Sequence, residues 1–402
     1  VASAGHHLGV PQAVRILAFA LGVAVVVLTA VSVFMTLVVP RVSAARLQRG
    51  VAGALARAVL ALAPRGATYQ TRDRFMAIVG PLTLMVLFVA WLVLLVLGYG
   101  LMLWWATGTS LAQALAVSGS SVFTLGVATV ALPGSDVLEF AAAGTGLLVV
   151  ALEIAYLPAL YNAFSARETE VTLLAQRAGT PAWGPEVIAR HHWFKNMGEL
   201  PDLYRTWERW AASVAETHAN YPTLMWFRSP LHLRSWLTGL TAMMDAAALH
   251  DAASPSDAPR QARVFLMMAV GCLRSLSDSL HIGYPTDPHP SDPVRLTEAE
   301  FRQGLDRLEA VGFEFERSAE ETWTNFRGWR VNYESMVDAI TDRIMPPPAP
   351  WFPRRPELGA VQFPHVVDRT PENPEGDRPL ERGRTRLPPH SRPALPDEGM
   401  GG

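Results

Sequence analysis

The sequence predicts an all-α membrane protein, with three transmembrane helices and a re-entrant loop, followed by an all-α domain on the cytosolic side. Three observations carry that reading. Half of the 402 residues are hydrophobic and only 17% are charged, and the apolar share is concentrated in long runs before residue 165. No Lys or Arg occurs from Phe75 to Ala166. Beyond Arg167 the apolar residues recur at helical spacing, and no segment alternates as a strand would.

The first span is 16–39, ILAFALGVAVVVLTAVSVFMTLVV, an uncharged run longer than the roughly 20 residues a helix needs to cross a bilayer. A secretory signal peptide would have a shorter apolar core with its positive charge in front, whereas here most of the arginines follow. The loop behind it carries Arg41, Arg46, Arg49, Arg57, Arg65, Arg72 and Arg74. The positive-inside rule places that loop in the cytoplasm. Within it, VAGALARAVLALAP is too short to span and is expected to lie in the interface as an amphipathic helix. The second span runs from Phe75 to Trp105 and ends on Trp104 and Trp105, as an interfacial aromatic belt would. The third, Val137 to Phe164, contains one charge, Glu153. This order puts the N-terminus outside and everything after Arg167 in the cytosol.

Between spans two and three the chain stays on the outer side for about thirty residues. SLAQALAVSGSSVF has helical composition, with Thr109 or Ser110 as its N-cap, but is too short to cross. It reads as a re-entrant helix. Irregular backbone at membrane depth is tolerated only where protein buries it or where it lines a water-filled cavity, and TLGVAT would be such a segment.

The order outer helix, short helix, TLGVAT, inner helix over roughly residues 75–165 resembles the pore-loop ion channel family, and within it the potassium-channel pore module with its T-V-G-Y-G filter. The resemblance matches Thr124 to the filter threonine, Leu125 to the valine, Gly126 to the first glycine, Val127 to the aromatic position and Ala128 to the second glycine. Ala128 departs from that pattern, and a Cβ there is expected to oppose a φ > 0 backbone. The resemblance implies a homotetramer in membrane lipid that conducts a monovalent cation, K+ above all, on backbone carbonyls, with no other cofactor. At the connection between spans two and three Asp136 and Glu139 are the only charges, so that connection does not repel cations.

An ionised Glu153 in mid-span would cost at least about 2.5 kcal/mol against lipid, so it must face protein or water, and a pore-lining role follows if it faces water. Gly144 and Gly146, on one side of it, and Pro158, on the other, are the candidate hinge or gate positions. Helix packing is the alternative for the glycines.

The domain 167–345 is expected to be helical. Leu203, Trp207, Trp210 and Val214 share one face, and Phe301, Leu305, Leu308 and Val311 another. VFLMMAVGCL is too short for a fourth span and is expected as a buried core helix. Residues 251–260 and 283–295 read as loops, and 346–402, with 14 of the 31 prolines, as a disordered tail. Cys272 is the only cysteine, which excludes an intrachain disulfide and a cysteine-built zinc site. A net charge of −2 argues against nucleic acid as partner. No catalytic constellation is readable, His191 and His192 lack a partner at metal-ligand spacing, and no G-x-G-x-x-G follows a strand, so an enzyme is not expected.

The division is therefore 1–74 for the first span and its loop, 75–166 for the pore module, 167–345 for a cytosolic helical domain that binds a regulatory ligand or protein, and 346–402 for the tail. The rival readings are a membrane-anchored sensor or scaffold with a vestigial pore, and a membrane enzyme.

Overall fold

In the computed structural model the described residues are 12–39, 46–64, 66, 68–129 and 135–353. Arg41, Arg65, the segment 130–134 and the tail from 354 onward lie outside them, as do the side chains of Arg46 and Arg49. Among the described residues there are helices and no strand.

Three helices are long and apolar enough to cross a membrane: α1 (Gln12–Leu37), α4 (Val79–Thr107) continuing from α3 (Tyr69–Met76), and α6 (Ser135–Ala178). Between α1 and α4 runs α2 (Arg46–Leu62), which packs against α3 and α4 through Ala52 and Ala56 and leaves Arg57 and Leu62 exposed. Small residues let α1 and α4 approach closely. A Cβ on Gly22 would meet Gly98 O at 2.5 Å, and one on Gly98 would meet Val26 Cγ2 at 2.7 Å. Trp91 Nε1 also donates to Ser32 Oγ at 3.2 Å across that pair.

Pro158 does not end α6, which runs unbroken from Ser135 through the expected span and on to Ala178. The chain then builds a helical body from α7 (Gly184–Trp193), α8 (Leu200–Asn220), α9 (Trp236–Ala253), α10 (Arg260–Leu280), α11 (Glu298–Glu309), α12 (Ala319–Arg330) and α13 (Glu334–Ile344). Its centre is α9, every residue of which is buried, with α7, α8, α10 and α12 packed around it. The expected faces exist for Leu203, Trp207, Trp210 and Val214 of α8 and for Phe301, Leu305 and Leu308 of α11, which all point inward. Val311 is not on that helix: α11 ends at Glu309, and Val311 is half-buried in the turn that follows. Capping boxes at Thr297–Glu300 and Ser318–Glu321 start α11 and α12.

Three sequence expectations need correction. VFLMMAVGCL is not buried all round: it lies within α10, which buries Phe265, Leu266, Ala269 and Leu273 but leaves Met267 65% exposed. Residues 251–260 are not loop throughout, because α9 continues to Ala253 and α10 begins at Arg260. Residues 346–353 belong to the core and not to a tail. Trp351 and Phe352 are buried, Trp351 Nε1 donates to Glu300 O at 2.9 Å, and its ring stacks on Phe301.

A buried ionic cluster fixes that segment to the centre. Arg330 pairs with Asp245 at 2.7 Å and Glu334 at 2.8 Å and donates to the Trp351 carbonyl, while Tyr333 OH donates to Asp245 at 2.7 Å. Burial pushes the Asp245 carboxyl up to about 6 despite its arginine, and raises the Tyr333 phenol well above its ordinary value.

Candidate functional site

The site is the connection between α4 and α6. Helix α5 (Leu111–Val122) starts at Ser110, whose Oγ accepts the Gln113 N–H at 3.2 Å, so the second of the two expected N-caps is the one used. Ser118 Oγ donates to Val96 O at 2.8 Å and anchors α5 on α4. Val117 and Ala114 complete that contact as buried apolar side chains.

The C-terminus of α5 closes in a Schellman arrangement. Leu125 N donates to Ser120 O at 2.8 Å and Thr124 N to Ser121 O at 2.9 Å, with Thr124 at φ +54°. Glycine is the usual residue there, and a β-branched side chain in this region is strained. Gly126 follows at φ +67°. The positive-φ residues of the segment are thus Thr124 and Gly126, which corrects the expectation for Ala128: its φ is not positive, and its Cβ does not oppose the backbone. Ala128 N instead donates to Ser120 Oγ at 3.0 Å.

That tether holds the segment to α5 from one side only. Leu125 is 62% and Val127 80% exposed, and Phe123, Thr124, Gly126 and Thr129 are exposed with them. Ser120 carried no sequence signal, since one serine in SGSS is like the next until the register is known.

Helix α6 lies against the end of α5 at Gly146. A Cβ there would run into the Val122 carbonyl, so Gly146 is a close-packing position. Among the described residues a Cβ on Gly144 would meet nothing within 4 Å; this glycine faces outward, as does Pro158. Tyr99 OH bonds Thr145 Oγ1 at 2.8 Å and Ala141 O at 3.2 Å, joining α4 to α6 at the same level. Glu153 is half-buried, two turns further along α6, beside the exposed Ile154. The structure therefore brings Thr124, Gly126, Ala128 and Gly146 to one end of α5 and leaves Gly144, Glu153 and Pro158 spread along α6.

A second, unforeseen feature joins α6 to the helical body. Arg167, the first basic residue after Arg74, is fully buried. Its Nη1 and Nη2 each donate at 2.8 Å to Leu224 O and Phe227 O, its Nε donates to Glu168 at 3.0 Å, and Trp210 Nε1 donates to its carbonyl at 3.1 Å. Phe227 in turn covers Gly80 at the start of α4. His218 Nδ1 donates to Val214 O at 2.9 Å, so its Nε2 accepts from Arg167 Nη1 at 3.1 Å. Burial, and then the Arg167 charge, push the His218 imidazole down to about 3. The joint is thus a neutral histidine and a guanidinium that fill the carbonyl ends of a turn touching both α4 and α6.

No group of His, Cys, Asp and Glu among the described residues is arranged to hold a metal ion. Compared with family models, with curated proteins and with solved structures, the chain matches none.

Proposed function

We propose that the chain is one subunit of a tetrameric, potassium-channel-like cation channel of the cell membrane. In this reading α4 is the outer helix, α5 the re-entrant pore helix and α6 the inner helix. The backbone carbonyls of Thr124, Leu125, Gly126, Val127 and Ala128 replace the hydration shell of a monovalent cation. The N-terminus lies outside, and the helical body from residue 167 lies in the cytosol and regulates the pore through α6.

One observation carries the reading. Residues 123–129 are irregular backbone between two membrane-length helices, follow a helix too short to cross, and, the half-buried Ala128 apart, are exposed in a single chain. Such backbone is stable at membrane depth only against protein or water, and further copies around a wet axis supply both. Glu153 then needs the same water, and in four copies it draws cations toward the axis.

Potassium-loaded liposomes containing the purified protein test this. Potassium leaves them down its gradient, and Glu153→Gln slows the release while the size-exclusion profile stays that of the wild type. Liposomes as tight as protein-free ones favour the rival reading, a membrane-anchored sensor or scaffold with a vestigial pore.

A further inference from the structure

We infer that the N-terminus of α9 is an anion site that takes an oxygen of a phosphate-type group, held by Arg234, Thr238 and the first amides of the helix. This does not depend on conduction through the segment at 124–128.

The electrostatics start from α9 itself. Its first intrahelical bond is made by Gly239 N to Ser235 O at 2.9 Å, so the amides of Trp236, Leu237 and Thr238 have no carbonyl within the helix to bond. The side chain of Ser235, the N-cap, gives no cap hydrogen bond. Arg234 adds a full positive charge directly before this partially positive helix end. Among the described residues it forms no ion pair, its Nε is shielded from solvent without a partner, and its Nη1 makes one long contact of 3.4 Å to Thr172 Oγ1 on α6. A cation without a counter-charge beside a helix N-terminus is unfavourable unless an anion joins them.

Thr238 is the independent sign of a ligand. It is only 2% exposed, yet its hydroxyl has no hydrogen-bond partner among the described residues. Helical threonines ordinarily bond the carbonyl four residues back, as Thr241 does to Leu237 O at 2.9 Å. Thr238 instead lines a cleft of about 10 Å³ between α6 and α9, shared with Arg234 and Ser235. A second cleft, of about 20 Å³, is also lined by Arg234 and Ser235 and contains Ser229, whose hydroxyl likewise has no partner among the described residues.

Among the described residues no carboxylate lines either cleft. The one other arginine there, Arg228, is already paired with Asp73 at 3.0 Å. Each volume holds about one oxygen-sized atom, so a terminal oxygen enters and the bulk of the group stays at the mouth. Because Arg228 also reaches Tyr69 at the foot of the α3–α4 span, the anion has two sources within reach, free phosphate and the headgroup of an anionic lipid.

The test uses the full-length protein in detergent, with phosphate titrated against chloride at equal ionic strength, and then in vesicles of phosphatidylcholine with or without phosphatidylglycerol. Unfolding midpoint and binding isotherm are the readouts. Wild type is expected to respond to phosphate, to phosphatidylglycerol, or to both, and that pattern identifies the source. Thr238→Val and Arg234→Gln are expected to weaken the response at least about tenfold. Thr238→Val, which deletes an unpaired buried hydroxyl without changing shape, folds at least as stably as wild type without the ligand. Equal responses in wild type and both variants would overturn the site. So would a wild type that treats phosphate and phosphatidylglycerol as it treats chloride and phosphatidylcholine.

Discussion

Ser120 Oγ accepts the backbone N–H of Ala128 at 3.0 Å, and this bond ties the exposed segment after α5 back to the helix that precedes it. Without it the Ala128 N–H is left unpaired, at a local cost of about 1–3 kcal/mol. If the chain conducts as proposed, Ser120→Ala is expected to lower cation flux through reconstituted protein by at least about tenfold, while the unfolding midpoint of the helical body, followed by tryptophan fluorescence, stays within error of wild type.

The two small residues of the segment should behave oppositely. Gly126 is at φ +67°, so Gly126→Ala strains the backbone by about 1 kcal/mol or more and should reduce flux. Ala128 is not at positive φ, so Ala128→Gly should leave flux and the potassium-to-sodium ratio close to wild type. Reversal potentials of the two variants, measured side by side, check this.

A similar contrast separates the glycines of α6. Gly146→Ala drives a methyl into the Val122 carbonyl and is expected to destabilise the α5–α6 contact by about 1–3 kcal/mol, whereas Gly144→Ala meets no described residue within 4 Å and should be neutral. Thermal unfolding in detergent, with oligomer size followed by light scattering, distinguishes the two.

Much of this architecture is legible in the sequence, for identifiable reasons. The apolar runs that became α1, α4 and α6 exceed a bilayer in length, and Ser110 stands where an N-cap must. The central helix α9 was not legible. Burial on all sides leaves no polar stripe, and Asp245 and His250 interrupt the apolar run that a buried helix usually shows. Nor was the inward packing of residues 346–353, where proline content suggests a tail and only the tertiary contacts of Trp351 with Phe301 and Phe326 decide otherwise. The left-handed Thr124 was hidden for a related reason. Its conformation follows from how α5 ends, and threonine is a poor indicator of that geometry.

The joint at Arg167 makes stability depend on pH through His218. Burial holds its folded pKa near 3, below the ordinary 6.5, so the unfolded chain binds the proton first. Its contribution is complete above about pH 6.5 and is lost as pH falls toward 3, amounting to about 2 kcal/mol between pH 7 and pH 5. Asp245, raised to about 6, works in the opposite sense, favouring the fold as pH falls from 6 toward 3.8. The difference between wild type and His218→Gln isolates the histidine. Denaturant midpoints at pH 7 and pH 5 should show a smaller acid loss in the variant.

The proposed pathway takes cations through the segment after α5. Its most direct test is a single-channel recording of the purified protein in a planar bilayer, with concentrated potassium chloride on one side and dilute on the other. Unitary currents that reverse at the potassium equilibrium potential are the predicted result. Currents reversing at the chloride potential, or a silent bilayer containing intact oligomers, would contradict it.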